Sequence, residues 1–349
     1  MDPTDDPGGL GRRLSAAAAM GKPVTRVVVL ALVLAPLVAA PRVSAFAAGT
    51  PACSGRNASI HGHGLIRGTR GDDVIVGSAR QDEIHGRGGN DLICARGGND
   101  LVRGGGGRDE LNGGDARDLV GGGASADLLS GGGGDDRLTG GSGADTIRVD
   151  DGSDSIDGGP DKDTITFVDS AEAVVVDLTS GRAISGERDE MSGIEDVVGS
   201  SHNDTLRGDA NANSLLGGSG NDLIVPGAGR DRVNGQTGSD TVSYAGRRSG
   251  IELRLAGTGP ATHGPDGDTI AGIENAIGTK HRDEIVGSSG RNVVEGLGSD
   301  DLLRGRDGRD DLRGGRGDDE LRGGHGRDHL VGGRGRDRCL DRSATKVSC

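Results

Sequence analysis

Apolar and polar residues recur with a fixed period of nine along most of this chain. From Gly68 to Thr166 it reads as eleven successive nonapeptides, each a variant of GGxGxDxUx in which U is Ile, Val or Leu. The glycine-rich first six residues can adopt positive φ in a tight turn, and the last three can form a short strand. Strand alternation then points position eight inward and positions seven and nine outward.

Two further blocks continue the same pattern. Five nonapeptides span 199–243 and seven span 278–340, which brings the total to 23. Position eight is aliphatic in every unit except the last, where it is Cys339. Two units would make one coil of a flattened roll, with the aliphatic side chains filling its thin centre. The pattern therefore predicts an all-β fold, a parallel β-roll solenoid in three blocks.

Two short inserts, 167–198 and 244–277, separate the blocks and match one another. Phe167 corresponds to Tyr244, and period-two alternation, a strand signal, begins at Val174 and at Ile251. The inserts also end alike, as DEMSGIEDVVG and DTIAGIENAIG. We expect each insert to be a longer strand or a hairpin that caps one block and starts the next. A catalytic insertion is the alternative interpretation.

The N-terminal region has the pattern of a secretory signal peptide. KPVTR precedes a mainly apolar run from Val27 to Ala40, and small residues follow around Ala45. We assign 1–47 to this signal, with Met20 as an alternative start. A membrane span is the competing interpretation, but the run is short and Pro36 interrupts it. The expected product is a bacterial protein that is secreted or held at the cell surface, with no stable span after signal removal.

The cysteines fit an oxidising compartment, in which disulfides are the expected state. Four cysteines allow three pairings. We favour Cys53 with Cys94 and Cys339 with Cys349, because these bonds would staple both ends of a solenoid. The ends themselves are short caps, 48–67 and 341–349.

Position six carries the candidate chemistry. It is Asp in 21 of the 23 units, and the exceptions, Asn213 and Asn292, each fall in the second repeat after an insert. Stacking coils about 4.8 Å apart would place these carboxylates in columns, with repulsion of about 0.8 kcal/mol per neighbouring pair even in water. Hard Ca²⁺ relieves this repulsion, since it takes six to eight oxygen ligands and glycine turns leave backbone carbonyls unobstructed.

The candidate metal ligands are therefore the position-six carboxylates. They are Asp73, Asp82, Asp91, Asp100, Asp109, Asp118, Asp127, Asp136, Asp145, Asp154 and Asp163 in the first block, Asp204, Asp222, Asp231 and Asp240 in the second, and Asp283, Asp301, Asp310, Asp319, Asp328 and Asp337 in the third.

These repeats resemble those of the RTX, or haemolysin-type, calcium-binding family, whose fold is a parallel β-roll. The resemblance implies that carboxylates and loop carbonyls of one unit and the unit two later share each ion. On that rule the blocks give roughly nine, three and five sites. Loops that depart from the pattern, such as those beginning at Val149 and Pro226, are expected to be weak or empty.

Composition narrows the function further. The chain has 70 Gly and no Trp, which argues against a broad compact core, and its formal charge of −14 argues against nucleic acid as a partner. HExxH, GxSxG and phosphate-binding motifs are absent, so we expect no enzyme.

The expected function is secreted Ca²⁺ binding coupled to folding. The alternative is a calcium-rigidified adhesion or structural protein that binds cell wall or polysaccharide. Arg residues in the last block either balance the Asp charge or form an anionic-polysaccharide patch.

Overall fold

Short strands follow one another along the chain, one for each nonapeptide. The computed structural model describes residues 51–256, 262–340 and 346–349. The predicted signal peptide and most of the predicted C-terminal cap lie outside the described residues. The only helical turn in the described part is a 3₁₀ turn at Pro265–Gly267. None of the described segments forms a helix with the length and hydropathy needed to cross a bilayer.

The strands are as follows in chain order. Before the repeats lie β1 (Ala52–Cys53), β2 (Arg56–Asn57), β3 (Ile60–His61) and β4 (Leu65–Arg67). The first block holds β5 (Val74–Val76), β6 (Glu83–Gly88), β7 (Leu92–Cys94), β8 (Leu101–Gly106), β9 (Glu110–Asp115), β10 (Leu119–Ala124), β11 (Leu128–Gly133), β12 (Arg137–Ser142), β13 (Thr146–Arg148), β14 (Ser155–Asp157) and β15 (Thr164–Thr166).

The first insert and second block follow. The insert holds β16 (Val175–Asp177), β17 (Arg182–Ile184), β18 (Arg188–Ser192) and β19 (Asp196–Val198). The second block holds β20 (Thr205–Arg207), β21 (Ser214–Ser219), β22 (Leu223–Val225), β23 (Arg232–Thr237) and β24 (Thr241–Ser243).

The second insert and third block complete the chain. The insert holds β25 (Glu252–Arg254), β26 (Thr262–His263), β27 (Thr269–Ala271) and β28 (Asn275–Ile277). The third block holds β29 (Glu284–Val286), β30 (Val293–Gly298), β31 (Leu302–Gly308), β32 (Asp311–Arg316), β33 (Glu320–Gly326), β34 (His329–Arg334) and β35 (Arg338–Leu340), and β36 (Lys346–Ser348) ends the chain.

Strands pair in parallel with the strand two units away. Val120 of β10 lies opposite Val102 of β8 on one side and Leu138 of β12 on the other, an offset of 18 residues each time. Two nonapeptides therefore make one coil, and alternate strands build the two faces of the solenoid. The stack has about 15 turns. This confirms the predicted parallel β-roll.

The core is a single line of aliphatic side chains between the two faces. Position eight is buried in each unit of the first block, with Ile84 and Val102 fully enclosed and Val120 2% exposed. Position one is usually glycine because the coils approach closely there. A Cβ on Gly122 would lie 2.6 Å from the carbonyl oxygen of Gly140 and would also clash with Oδ2 of Asp127. The next residue, Gly123, has φ of +119°, which disfavours any side chain.

The first insert adds a meander of three strands to one face, and the second adds an antiparallel pair. In the first insert β17 runs antiparallel between β16 and β18, and β18 then pairs with β14 of the block before it. In the second, β26 runs antiparallel beside β27, and β27 pairs with β23. The expected hairpin is present, but neither insert closes a block, because parallel pairing continues across both of them.

Both ends of the roll carry a disulfide. Cys53 pairs with Cys94 and Cys339 with Cys349, as favoured from the sequence. The antiparallel β1–β2 hairpin brings Cys53 into a small second apolar cluster with Val74, Val76 and Leu92. This cluster lies outside the main core and covers the outer face of the first coils.

Candidate metal centre

The position-six carboxylates connect each coil to the one before it. Oδ1 of Asp118 accepts the backbone N–H of Asp100 at 2.7 Å, and Oδ1 of Asp127 accepts that of Asp109 at 2.8 Å. The same bond, always 18 residues apart, recurs through the blocks. Position six is Asp because its short side chain can satisfy a strand-end amide of the preceding coil.

The second oxygen of most of these carboxylates has no partner. Oδ2 is buried without a hydrogen bond in a set that comprises Asp91, Asp100, Asp109, Asp118, Asp127, Asp136, Asp145, Asp163, Asp222, Asp231, Asp240, Asp301, Asp310 and Asp319. Buried polar atoms in folded proteins nearly always have a partner, so a whole column without one indicates an absent group. The orphaned atoms are anionic oxygens, which suits a cation.

Backbone oxygens converge on the same places. The space beside Gly122 is bounded by Oδ2 of Asp127 and by the carbonyl oxygen of Gly140, one coil later. Among the described residues no three His, Cys, Asp or Glu side chains cluster as a metal site. Any bound cation would therefore need carbonyl oxygens as well. Mixed carboxylate and carbonyl oxygen ligands fit Ca²⁺ and do not fit a soft metal.

The electrostatics of the column also call for a positive charge. Burial raises the pKa of Asp118 and of Asp222 to about 7, and that of Asp301 to about 8, despite the backbone hydrogen bond that each carboxylate accepts. Neighbouring carboxylates in the column raise the pKa of each group further. Without a cation the ionised roll is thus opposed by its own ligand set.

Carboxylates at the start of each block differ from the rest. Oδ2 of Asp73 accepts the backbone N–H of Thr69 at 2.6 Å and its hydroxyl at 2.9 Å. Asp82, Asp204 and Asp283 also accept the backbone N–H and the hydroxyl of a Ser or Thr at position two of their own loops, although in Asp204 and Asp283 the hydroxyl donates to Oδ1. These four predicted ligands already satisfy loop donors, which makes them weaker candidates for a cation.

The remaining predicted ligands lie at the margins of the column. Asp154 accepts the N–H of Asp136 at 2.9 Å next to the first insert. Asp328 and Asp337 accept the N–H groups of Asp310 and Asp319 in the last coils. The structure thus places all the predicted carboxylates at equivalent points of successive loops.

The two Asn exceptions have a structural cause. Nδ2 of Asn213 donates to the carbonyl of Glu195 at 2.9 Å, and Nδ2 of Asn292 donates to that of Glu274 at 2.6 Å. Both acceptors belong to the end of an insert. An Asp there would set its anionic oxygen against a carbonyl oxygen, so a neutral donor is required.

Sequence reasoning missed four members of the carboxylate column. Asp189 and Asp268 in the inserts accept the N–H groups of Asp154 and Asp231, and Oδ2 of Asp189 is also buried without a partner. Glu195 and Glu274 accept the N–H groups of Asp163 and Asp240. The signal was available, because both inserts place these acids identically within their matching ends.

Comparison with known families agrees with this geometry. A family model described as RTX calcium-binding nonapeptide repeat (4 copies) matches the chain over 67–102, 95–129, 130–165, 198–233, 223–244, 277–312 and 304–339. These segments cover all three blocks and leave out most of both inserts. A search of curated proteins finds no match to the chain.

Proposed function

The chain belongs to the RTX calcium-binding nonapeptide repeat family, and we propose that it is a secreted protein whose β-roll folds on binding several Ca²⁺ ions outside the cell. The observation that carries this proposal is the column of buried Asp Oδ2 atoms without hydrogen-bond partners. Bound Ca²⁺ would supply positive charge to oxygens that the protein itself leaves uncompensated.

Folding and binding are coupled in this proposal because the sites do not exist in the unfolded chain. A ligand that binds only the folded state adds its binding free energy to stability. Burial and neighbouring carboxylates raise the pKa values of groups such as Asp118 and Asp301, so the folded roll without calcium disfavours ionisation of its own proposed ligands. Extracellular modules bind Ca²⁺ at about 10⁻⁴ to 10⁻³ M, a concentration available outside cells.

The ligands that we propose are the position-six carboxylates with an orphaned Oδ2, together with loop carbonyls of the same and neighbouring coils. Asp118, Asp127 and Asp310 exemplify this group. The capped carboxylates of Asp73 and Asp283 are expected to contribute least. Long uninterrupted columns, as in the first block, should bind most cooperatively.

Secretion is the second part of the proposal. Two disulfides in the described chain and the signal-like pattern of 1–47 support it. Edman sequencing of the mature protein from culture medium should find a start near Ala48. Recovery of a chain that still begins before Val27 would contradict the signal assignment.

Catalysis is not part of the proposed function. A calcium-rigidified role at the cell surface, with cell wall or polysaccharide as partner, is the second candidate. Two surface clefts favour it, one lined in part by Glu172 of the first insert and one by Arg247 of the second. Sedimentation with cell-wall polysaccharide, with Ca²⁺ and then with EGTA, separates this role from calcium binding alone.

Calcium titration tests the leading proposal. Isothermal calorimetry and circular dichroism on one sample should show several ions bound as β structure increases, and Mg²⁺ at equal concentration should not reproduce the change. Circular dichroism that is unchanged by millimolar Ca²⁺ would falsify the coupling of folding to the ion.

A further inference from the structure

Each insert forms a cleft against the outer face of the roll, at equivalent positions. The chain leaves the coil after a buried aromatic residue, Phe167 in the first insert and Tyr244 in the second. The loop that follows, and the loop before β18 or β27, then border outward-pointing strand residues. The first cleft has a volume of about 710 Å³ and the second about 450 Å³.

The two clefts have opposite charge. The first is lined by carboxylates that include Asp150 and Glu172, and its buried Arg148 forms an ion pair with Asp169 at 3.3 Å. The second is lined by three arginines, Arg207, Arg247 and Arg248. Counting from Phe167 and Tyr244, the equivalent positions of the first cleft hold Ser130, Ser170 and Ala171. The fold therefore does not require arginine at these positions.

Arg247 is held in place by two contacts. Its Nη1 lies 2.7 Å from Oδ2 of Asp266, and its guanidinium carbon lies 5.8 Å from the centroid of the Tyr244 ring. The ring is fixed in turn, since the Tyr244 hydroxyl donates to Oδ2 of Asp268 at 3.0 Å. A guanidinium immobilised in this way loses little further entropy when it binds an anion.

Positive charge exceeds negative charge in the second cleft. Asp266 is engaged by Arg247, and both carboxylate oxygens of Asp209 accept hydrogen bonds from Asn211 at 2.8 Å. Arg207 forms only a long ion pair, with its Nε 3.8 Å from Oδ2 of Asp177, and Arg248 forms no ion pair among the described residues. The guanidinium of Arg248 is thus available to a ligand, and that of Arg207 keeps its hydrogen-bond donors for one because its ion pair is too long for a hydrogen bond.

We propose that this cleft binds a sugar acid, a carboxylate carried on a polyhydroxylated ring. Arg207 and Arg248 would receive the carboxylate, because planar guanidinium groups match its two oxygens. A bare inorganic anion would fill only a small part of 450 Å³. The hydroxyls of Thr179, Ser243 and Ser249 line the same cleft and offer partners for ring hydroxyls.

The test uses the full mature chain in constant millimolar Ca²⁺, with folding verified by circular dichroism. Saturation-transfer NMR and calorimetry compare three probes: glucuronate, glucose as the neutral isostere, and inorganic phosphate as the bare anion. The test variant is Arg207→Ser with Arg248→Ala, which installs the residues of the first cleft at these two positions. The control variant is Arg103→Ser, which changes a strand residue outside both clefts.

The wild type and the Arg103→Ser variant should bind glucuronate with equal affinity. The double variant should bind glucuronate with an affinity that is lower by roughly tenfold or more. Glucose should bind none of them measurably. Equal glucuronate binding by the double variant, or glucose binding equal to that of glucuronate, overturns the assignment. Phosphate binding as tight as glucuronate binding also overturns it, in favour of a simple anion site. Because every chain is first shown to be folded in Ca²⁺, failure here leaves the calcium proposal intact.

Discussion

Replacing the buried carboxylate of Asp118 with an amide should change stability in opposite directions with and without calcium. Asp118→Asn keeps Oδ1, which accepts the N–H of Asp100, and replaces Oδ2, which has no hydrogen-bond partner. Asn has the same shape and nearly the same volume as Asp, so it fits the space that Asp118 occupies. The variant removes a charge that opposes the calcium-free roll and a ligand that the loaded roll needs.

The magnitude follows from the pKa of Asp118. Burial raises it from 3.8 to about 7, which corresponds to about 4 kcal/mol against the ionised form. Solvent beside the loops screens the charge and reduces the effect to about 2 kcal/mol. At pH 8 without calcium, Asp118→Asn should therefore raise the free energy of unfolding by about 2 kcal/mol. With calcium it should lower Ca²⁺ affinity of the adjoining loops roughly tenfold.

Circular dichroism at pH 8, with EGTA and with millimolar Ca²⁺, measures both effects. In Ca²⁺ the free energy of unfolding is measured by urea denaturation. If the chain is unfolded in EGTA, it is measured there by folding the chain with trimethylamine oxide. Asp283→Asn is the matched control, because Thr279 already donates to that carboxylate and little should be gained in EGTA. If Asp118→Asn destabilises the chain equally in both conditions, the carboxylate has a structural role and the cation argument is refuted.

Three further predictions concern pH, packing and the disulfides. Because carboxylates such as Asp301 have folded-state pKa values above 3.8, the calcium-free roll binds more protons than the unfolded chain. Its free energy of unfolding should therefore fall as the pH rises from about 4 to about 8. A free energy of unfolding in EGTA that rises over this pH range would contradict the prediction. Gly122→Ala should lower the free energy of unfolding by about 3 kcal/mol in Ca²⁺, whereas Gly133→Ala, where a Cβ meets nothing within 4 Å, should be nearly neutral in the same urea experiment. Replacing Cys53 and Cys94 with Ser removes a disulfide that closes a loop with a sequence separation of 41 residues. The free energy of unfolding should fall by about 4 kcal/mol. An unchanged melting temperature would show that the disulfide does not stabilise the N-terminal hairpin.

The repeat made the roll predictable because each nonapeptide encodes its own local structure. Glycine marks the turn, position eight marks the core, and the period fixes the coil. The structure confirms the core position and the coil period at residues such as Val120, which is buried between its neighbours 18 residues away. The favoured disulfides also formed, since the cysteines lie at the ends of the repeat array.

Contacts between coils were not visible in a single repeat. The period places the loops of Asp100 and Asp118 next to each other, but neither loop's sequence specifies that Oδ1 of Asp118 accepts the N–H of Asp100. Whether a carboxylate is capped, as at Asp73, depends on a hydroxyl in its own loop. At Asp73 that hydroxyl belongs to Thr69, which in the sequence is indistinguishable from an ordinary turn residue. The meander of the first insert depends on pairing between β16, β17 and β18, which alternation alone leaves undetermined.

The number of nonapeptides between the inserts decides where each cleft faces. Strands alternate between the two faces, and the second block holds five of them, an odd number, so β16–β18 and β25–β27 lie on opposite sides of the roll. A chain with four or six units in that block would present both clefts on one side. The number of repeats therefore sets the relative orientation of the two clefts. Gain or loss of a single nonapeptide, with every loop sequence unchanged, would move both clefts to the same side of the roll, where one extended partner could contact both.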